Sequence, residues 1–189
     1  RDFPILLRRD PEGGVDAVAL LGLDRDTNLF LDDDRWTSRH IPLVQQRGPF
    51  SLGGDGTPAI HVDLDDPRVD AEDGSALFLP HGGNGRYLDH VTRVLGLIRS
   101  GAQTADAMYA ALDALGLLQA LDLDIVLDEE RRYTIPNYLG ITREGLAQLR
   151  TRELELLHAD GYLGPAFLLA ASLANITALI DRKLAREAA

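Results

Sequence analysis

The chain has 189 residues, of which 45% are apolar, 30 are acidic, 19 are Lys or Arg, and none is cysteine. Its formal net charge of −11 at pH 7 would repel a phosphate backbone, so nucleic acid is not expected as a partner. The lack of cysteine excludes disulfides, thiolate metal sites and a cysteine nucleophile. This length and composition suit a single globular domain over residues 1–189 with a core that needs no crosslinks.

Hydropathy along the chain predicts no membrane span, because no apolar run reaches the roughly 18–20 residues that a span needs. The nearest candidate, Tyr162 to Ile180, is interrupted by Ser172, Asn175 and Thr177. We recognise no signal peptide and expect a cytoplasmic location. The chain begins at Arg1 rather than at methionine, so we leave open that a targeting segment precedes it.

The first residues of the chain predict short strands joined by turns. A strand is predicted at residues 3–8, and a hairpin at 15–23 and 28–31, with residues 24–27 as its turn. Three consecutive aspartates follow at 32–34. They lack the alternating ligands, central glycine and late glutamate of a calcium loop, so we predict a solvated turn.

The stretch RWTSRHIPLVQQRGPFSLG (35–53) predicts a short helix over residues 39–46. Thr37 or Ser38 can cap its start, Pro42 is tolerated in its first turn, and Gly48 followed by Pro49 ends it. Trp36 and Phe50 bracket this helix, and we predict that both are core anchors which pin its ends to a sheet. Its polar face would be formed by three candidates for ligand or partner contacts, which are Arg39, His40 and Arg47.

Residues 50–85 predict two further strands and loops. A strand begins at Phe50, and a second is predicted at residues 59–64 (AIHVDL). The glycine-rich stretch 53–56 lies between them. Because a strand rather than a helix follows it, we predict a hairpin turn and not a phosphate cradle. A short strand at 76–79 and a loop at 80–85 complete this part.

The second half of the chain changes to helical periodicity. Helices are predicted at residues 87–100 and 104–118, followed by a hairpin near 121–136. Thr142 can cap a helix that ends near residue 150, and another covers 152–159. A long helix from about 165 to 186 is predicted to be central, because its apolar residues wrap much of its circumference. The chain is thus strand-rich over 1–80 and helix-rich over 86–189, which predicts an α+β fold with a mainly antiparallel sheet and a helical layer.

His61 and Asp63 form the clearest chemical pattern in the sequence. On a strand they would share one face, which supplies two-thirds of the two-histidine, one-carboxylate triad of iron(II) oxygenases. The remaining histidines do not follow the order of such enzymes, and a His-x-Asp pair also occurs by chance. We therefore favour a half-exposed strand pair and keep His61 and Asp63 as the metal candidates of an alternative.

Ser172 and Asn175 are a second candidate pair, since residues at i and i+3 share a helix face. One interpretation is a buried polar pair that bonds a neighbouring segment. The other is a ligand contact, to which Tyr138 could contribute. The sequence holds no Ser-His-Asp nucleophile motif.

Several short motifs occur in an order that resembles the SapC family of bacterial proteins. They are Val18-Ala-Leu-Leu-Gly22 with Asn28-Leu-Phe30, Trp36…His40-Ile-Pro42…Arg47-Gly-Pro-Phe50, Ile60-His-Val-Asp63, Leu112-Asp-Ala-Leu-Gly-Leu117, Tyr138…Leu146, and Gly161-Tyr-Leu163…Ser172-Leu-Ala-Asn175. The resemblance extends from about residue 3 to 184.

The resemblance implies a role in the cell envelope rather than a reaction. The family is named after a gene associated with surface-layer protein export, and members look common beside genes for outer-membrane receptors and flavin halogenase-like proteins. No catalytic residue is carried over from it. We therefore expect a non-enzymatic accessory or binding protein, without a cofactor, whose partner is a protein or small molecule. The alternative is an iron(II) oxygenase-like enzyme that uses His61 and Asp63, and a homo-oligomer is left open.

Overall fold

The computed structural model describes residues 2–33, 35–53, 59–69 and 73–188. It has antiparallel sheets in the N-terminal half and helices in the C-terminal half, with 39% helix and 23% strand, which confirms the α+β prediction. Contacts within the chain define two compact units: Arg1–Arg39 with Asp106–Ala189, called the first unit, and His40–Ala105, called the second unit. The single-domain organisation stays a prediction.

The elements of the described chain are as follows. The strands are β1 (Ile5–Arg9), β2 (Val15–Ala19), β3 (Leu31–Asp32), β4 (Arg35–Trp36), β5 (Phe50–Gly53), β6 (Ala59–Val62), β7 (Gln119–Val126) and β8 (Arg132–Gly140). The helices are α1 (Leu43–Gln46), α2 (Arg86–Ala114), α3 (Arg143–Ala147), α4 (Thr151–Ala159), α5 (Leu163–Ser172) and α6 (Asn175–Glu187).

The first unit contains an antiparallel sheet of order β2-β1-β8-β7. The predicted hairpin of residues 15–23 with 28–31 is wrong, because β2 pairs with β1 instead. Asp10 explains the difference, since its carboxylate accepts the amide hydrogens of Glu12 and Gly14 and closes a tight turn between these two strands. The predicted hairpin near 121–136 is confirmed as β7 and β8, which are longer than predicted.

Glycines decide where two helices end. The two helices predicted at 87–100 and 104–118 are one continuous helix, α2, because Gly101 stays within it. Gly116 ends α2 with φ +68°, and the amides of Gly116 and Leu117 bond the carbonyls of Asp113 and Leu112. Gly48 likewise has the predicted positive φ, +59°, just after α1.

Helix α1 is shorter than the predicted helix over 39–46, and none of its residues is buried. Pro42 is its N-cap residue, with extended backbone, and not a residue of its first turn. Neither predicted cap is used. Thr37 donates its hydroxyl hydrogen to the Phe30 carbonyl, and Ser38 accepts a hydrogen bond from the Trp36 indole.

The predicted long central helix is two helices, α5 and α6, separated by Leu173 and Ala174. By length and composition, Leu163–Glu187 could cross a membrane, but only 22% of its most apolar 18-residue window is buried. Most of that stretch is thus not buried, although Leu179 of α6 is fully buried in the core of the first unit. A single segment of this kind is weak evidence for a span, so the expected lack of a span stays a prediction.

Each unit has its own hydrophobic cluster. In the first unit, Phe3, Leu29, Phe30 and Leu179 are buried together, and the half-buried Trp36 packs against them. In the second unit, Phe50, Val91 and Leu95 form the cluster with Leu52 and Leu77 beside it. Phe50 is a core anchor as predicted, at 4% exposure. The two aromatic residues do not pin α1 to one sheet, since they belong to different clusters.

Ion pairs hold α6 in place within the first unit. Lys183 Nζ lies 2.5 Å from Asp24 Oδ2 and 2.8 Å from Glu187 Oε1, and Arg131 pairs with Glu187. The hydrogen bond from Lys183 lowers the pKa of Asp24, and the same bond raises the pKa of Lys183. Arg186 adds a hydrogen bond to the Asn28 carbonyl, 3.0 Å away. Helix α6 is thus anchored to residues 24–28 and to Arg131.

Candidate functional site

Ser172 and Asn175 lie at the junction of α5 and α6 and hold the start of β1. Ser172 Oγ accepts the amide hydrogen of Ile5 at 3.1 Å and donates to the Leu169 carbonyl at 2.7 Å. Asn175 Nδ2 donates to the Phe3 carbonyl at 3.1 Å. The interpretation of the pair as a structural bond to a neighbouring segment is therefore supported.

Ser172→Ala is expected to lower the free energy of unfolding by about 1 kcal/mol, because the hydrogen bond to the Ile5 amide is lost. The control is Ser100→Ala, which changes an exposed serine of α2. Denaturant unfolding of both variants measures the difference in their free energies of unfolding. Equal midpoints for the two variants would show that water replaces the Ser172 hydroxyl without cost.

Three depressions follow one another along α5 and α6 and share lining residues. We call them together the α5–α6 groove. The first, of about 240 Å³, is lined by Ile5, Met108, Pro165, Leu168, Leu169 and Ser172. The second, of about 210 Å³, is lined by Leu168, Ala171, Ser172 and Asn175. The third, of about 390 Å³, is lined by Asp2, Phe30, Thr37, Ser38, Arg39, Asn175, Ala178 and Arg182.

The groove changes from apolar to cationic along its length. Leu168 is 59% exposed at the apolar end, and the neighbouring Phe167 is 50% exposed. At the other end, the Arg182 guanidinium stacks 4.5 Å from the centre of the Phe30 ring, and Nη1 donates to Thr37 Oγ1 at 3.2 Å. Arg39 is exposed there, and among the described residues it forms no ion pair. An anionic group could therefore bind beside Arg39 without displacing an existing partner.

The groove unites three of the sequence candidates, Arg39, Ser172 and Asn175. Tyr138 lies elsewhere, on β8 opposite Leu121, and does not line the groove. His40 is exposed and begins the second unit. Arg182 was missed by the sequence analysis. Its position three residues after the buried Leu179 could have revealed it, because i and i+3 share a helix face.

His61 lies on β6, and Asp63 follows directly after the last residue of that strand, Val62. His61 lies on β6 opposite Ser51, with its ring over Gly53. Strand β6 ends one residue before Asp63, so this carboxylate is not on the strand that carries His61. Asp63 Oδ1 accepts the amide hydrogen of Asp65 at 3.1 Å instead. Both side chains are exposed, and the described residues contain no group of three or more His, Asp or Glu suited to a metal ion.

Arg47 lines a separate cavity of about 550 Å³ within the second unit. The other lining residues are Ser51, Leu52, Gly53, Leu95, Ile98 and Arg99. Arg47 Nη1 donates to the Phe50 carbonyl at 2.6 Å, which fixes the guanidinium beside β5. Arg99 was missed by the sequence analysis, although it follows the buried Leu95 by one helical turn.

Arg68 neutralises an acidic neighbour of Arg47. Asp66 is bonded by Arg68 through Nε at 2.8 Å and Nη2 at 2.5 Å. These bonds lower the pKa of Asp66 to about 2, with a smaller contribution from the charge of Arg47. Asp66 is therefore already committed to Arg68, and Arg47 keeps hydrogen-bond donors available for another group.

Comparison with known proteins gives one relationship. Neither curated proteins nor solved structures provide a significant match. The SapC family model matches residues 1–179, which is nearly the whole of the 189-residue chain. The order of short motifs and this match lead to the same result: the chain belongs to the SapC family.

Proposed function

We propose that this chain is a non-enzymatic accessory protein of a bacterial surface-protein export or outer-membrane uptake system. In this role it binds a partner protein in the α5–α6 groove. The expected compartment is the cytoplasm, where a partner is accessible before it crosses a membrane. The continuous change of the groove from apolar to cationic is the observation that carries the proposal.

The apolar end of the groove supplies binding energy. Phe167 and Leu168 are large side chains at 50% and 59% exposure on one helix. Contiguous exposed apolar surface on a folded protein marks an interaction site, because covering it removes apolar area from water. Single exposed residues of this kind need no explanation, but here Leu168 lines two depressions that could receive side chains of a partner.

The cationic end supplies specificity. Arg39 and Arg182 line one depression together with a single acidic residue, Asp2, so its lining carries a net positive charge in a chain whose net charge is −11. Arginine recognises carboxylates through paired hydrogen bonds. We therefore expect a partner segment that places apolar side chains beside an acidic group, and not nucleic acid or a lipid bilayer.

Complementation of a gene deletion tests the proposal. The native bacterium is deleted for this gene, and its surface-layer protein and outer-membrane receptors are quantified at the cell surface by protease accessibility. Wild-type protein is expected to restore the lost component. Leu168→Asp is expected to restore less than about a tenth of it, because a charge in the apolar end of the groove opposes binding.

The matched control is Leu156→Asp, which places the same charge at a leucine that is 53% exposed on α4, outside the groove. It is expected to complement like wild type. Thermal unfolding of both purified variants shows whether either is misfolded. Full complementation by a folded Leu168→Asp protein would contradict the groove as the binding site, and unchanged surface proteins in the deletion strain would contradict the accessory role.

A further inference from the structure

The cavity of the second unit has the features of a small-molecule site. Its volume of about 550 Å³ lies within the range of roughly 300–1,000 Å³ that is usual for such sites. Strand β5 forms one wall with Leu52, and one face of α2 forms another with Leu95 and Ile98. The same hydrophobic cluster that joins β5 to α2 therefore also provides the apolar floor of the cavity.

Two arginines border this floor, and both have donors available. Arg47 is fixed by one hydrogen bond to the Phe50 carbonyl, and a guanidinium has five N–H donors in all. Arg99 is exposed, and within the described ranges of the chain its guanidinium forms no ion pair or hydrogen bond. The acidic neighbour Asp66 is occupied by Arg68. The cavity thus presents positive charge that the described residues do not neutralise.

We propose that this cavity binds an organic carboxylate with an aliphatic body. The two guanidinium groups would hold the carboxylate, and Leu52, Leu95 and Ile98 would cover the hydrocarbon. The lining residues within the described part of the chain are aliphatic, polar or cationic, so they offer no ring on which an aromatic ligand could stack. A polyphosphate usually engages more than two cations or a helix N-terminus, so a lining with two arginines suits a carboxylate better.

This proposal is independent of the proposed function, since the cavity lies in the second unit and the α5–α6 groove in the first. Loss of function in Leu168→Asp would say nothing about Arg99. Binding of a carboxylate involves no chemical reaction, so this site is compatible with the non-enzymatic role that we propose.

Decanoate, decanol and acetate are the probes, because they separate the charge from the hydrocarbon. Each is titrated into the full ¹⁵N-labelled chain while amide chemical shifts are followed. Decanoate is expected to shift the amides of Leu52, Gly53 and Leu95. Decanol and acetate are each expected to bind at least about tenfold more weakly, because each lacks one of the two contributions.

Arg99→Gln is expected to weaken decanoate about tenfold and to leave decanol unchanged, since it removes the charged guanidinium and keeps the aliphatic stem and a neutral hydrogen-bond donor. Arg99→Lys is expected to bind with intermediate affinity. The matched control, Arg93→Gln, removes an exposed arginine of α2 that does not line the cavity, and it is expected to bind decanoate like wild type.

Three results would overturn the carboxylate site. Decanoate could shift only amides near Phe167 and Leu168, which would locate it in the α5–α6 groove. Decanol could bind as tightly as decanoate, or Arg93→Gln could weaken decanoate as much as Arg99→Gln. If Arg99→Gln fails to fold, the wild-type chain is titrated at low and high ionic strength instead. Higher ionic strength must lower its affinity for decanoate and leave its affinity for decanol unchanged, because salt screens charges.

Discussion

Phe30→Ala is expected to lower the free energy of unfolding by about 3–5 kcal/mol, the usual cost of deleting a buried aromatic side chain. Phe30 is 2% exposed and lies at the centre of the first unit's cluster. Its ring centre is 4.7 Å from that of Phe3, in an edge-to-face arrangement, and 6.3 Å from that of Trp36. The substitution also removes the ring under the Arg182 guanidinium. Equilibrium unfolding in urea measures the loss.

Phe78→Ala is the matched control, because Phe78 is 66% exposed in the second unit. Its unfolding free energy should stay within about 0.5 kcal/mol of wild type. A loss of less than about 1 kcal/mol for Phe30→Ala would contradict a cluster packed as tightly as a protein interior, where a deleted ring leaves a cavity.

Gly22→Ala is expected to lower the free energy of unfolding by about 2–3 kcal/mol, since an added methyl group needs space that the fold does not contain. A Cβ at position 22 would lie 2.0 Å from the carbonyl oxygen of Thr27. That oxygen is part of the backbone and cannot rotate away like a flexible side chain. The loop would have to open, and Leu29 and Phe30, which follow it directly, would move with it. Thermal and urea unfolding both report this change.

Gly96→Ala tests whether the effect is one of space. A Cβ at Gly96 on α2 meets no atom within 4 Å, and alanine has a higher helix propensity than glycine by about 1 kcal/mol. This control is therefore expected to be as stable as wild type or more so. Destabilisation of equal size in both variants would contradict the close approach of Gly22 to Thr27.

The two candidate binding surfaces differ in what the sequence could reveal. Arg39, Ser172 and Asn175 were identifiable as polar residues beside apolar ones, but their distances along the chain give no reason to place Arg39 near Asn175. The α5–α6 groove exists because Asn175 bonds the Phe3 carbonyl and Arg182 reaches Thr37, which joins segments more than 140 residues apart. Such contacts depend on the packing of whole elements and leave no local pattern.

His61 and Asp63 show the opposite case, in which a local pattern suggested more than the fold provides. Their spacing would put both side chains on one face of a continuing strand. The strand ends at Val62, where the Asp63 amide bonds the Pro49 carbonyl and its carboxylate enters a turn. The predicted strand, residues 59–64, is two residues longer than β6, so Asp63 lies just outside the strand that carries His61.

The amino-acid sequence alone determined the α+β class, the β7–β8 hairpin, the Thr142 cap of α3, the left-handed Gly48 and membership of the SapC family. These features depend on side-chain periodicity and on hydrogen bonds between near neighbours, which a short window of sequence contains. Only the tertiary structure decided that β1 pairs with β2, that Trp36 and Phe50 join different clusters, and that α5 presents an apolar face. The physical reason is that the burial of an apolar surface depends on which distant elements pack against it. The helical pattern of residues 165–186 is the same whether the apolar surface of that segment is covered or exposed.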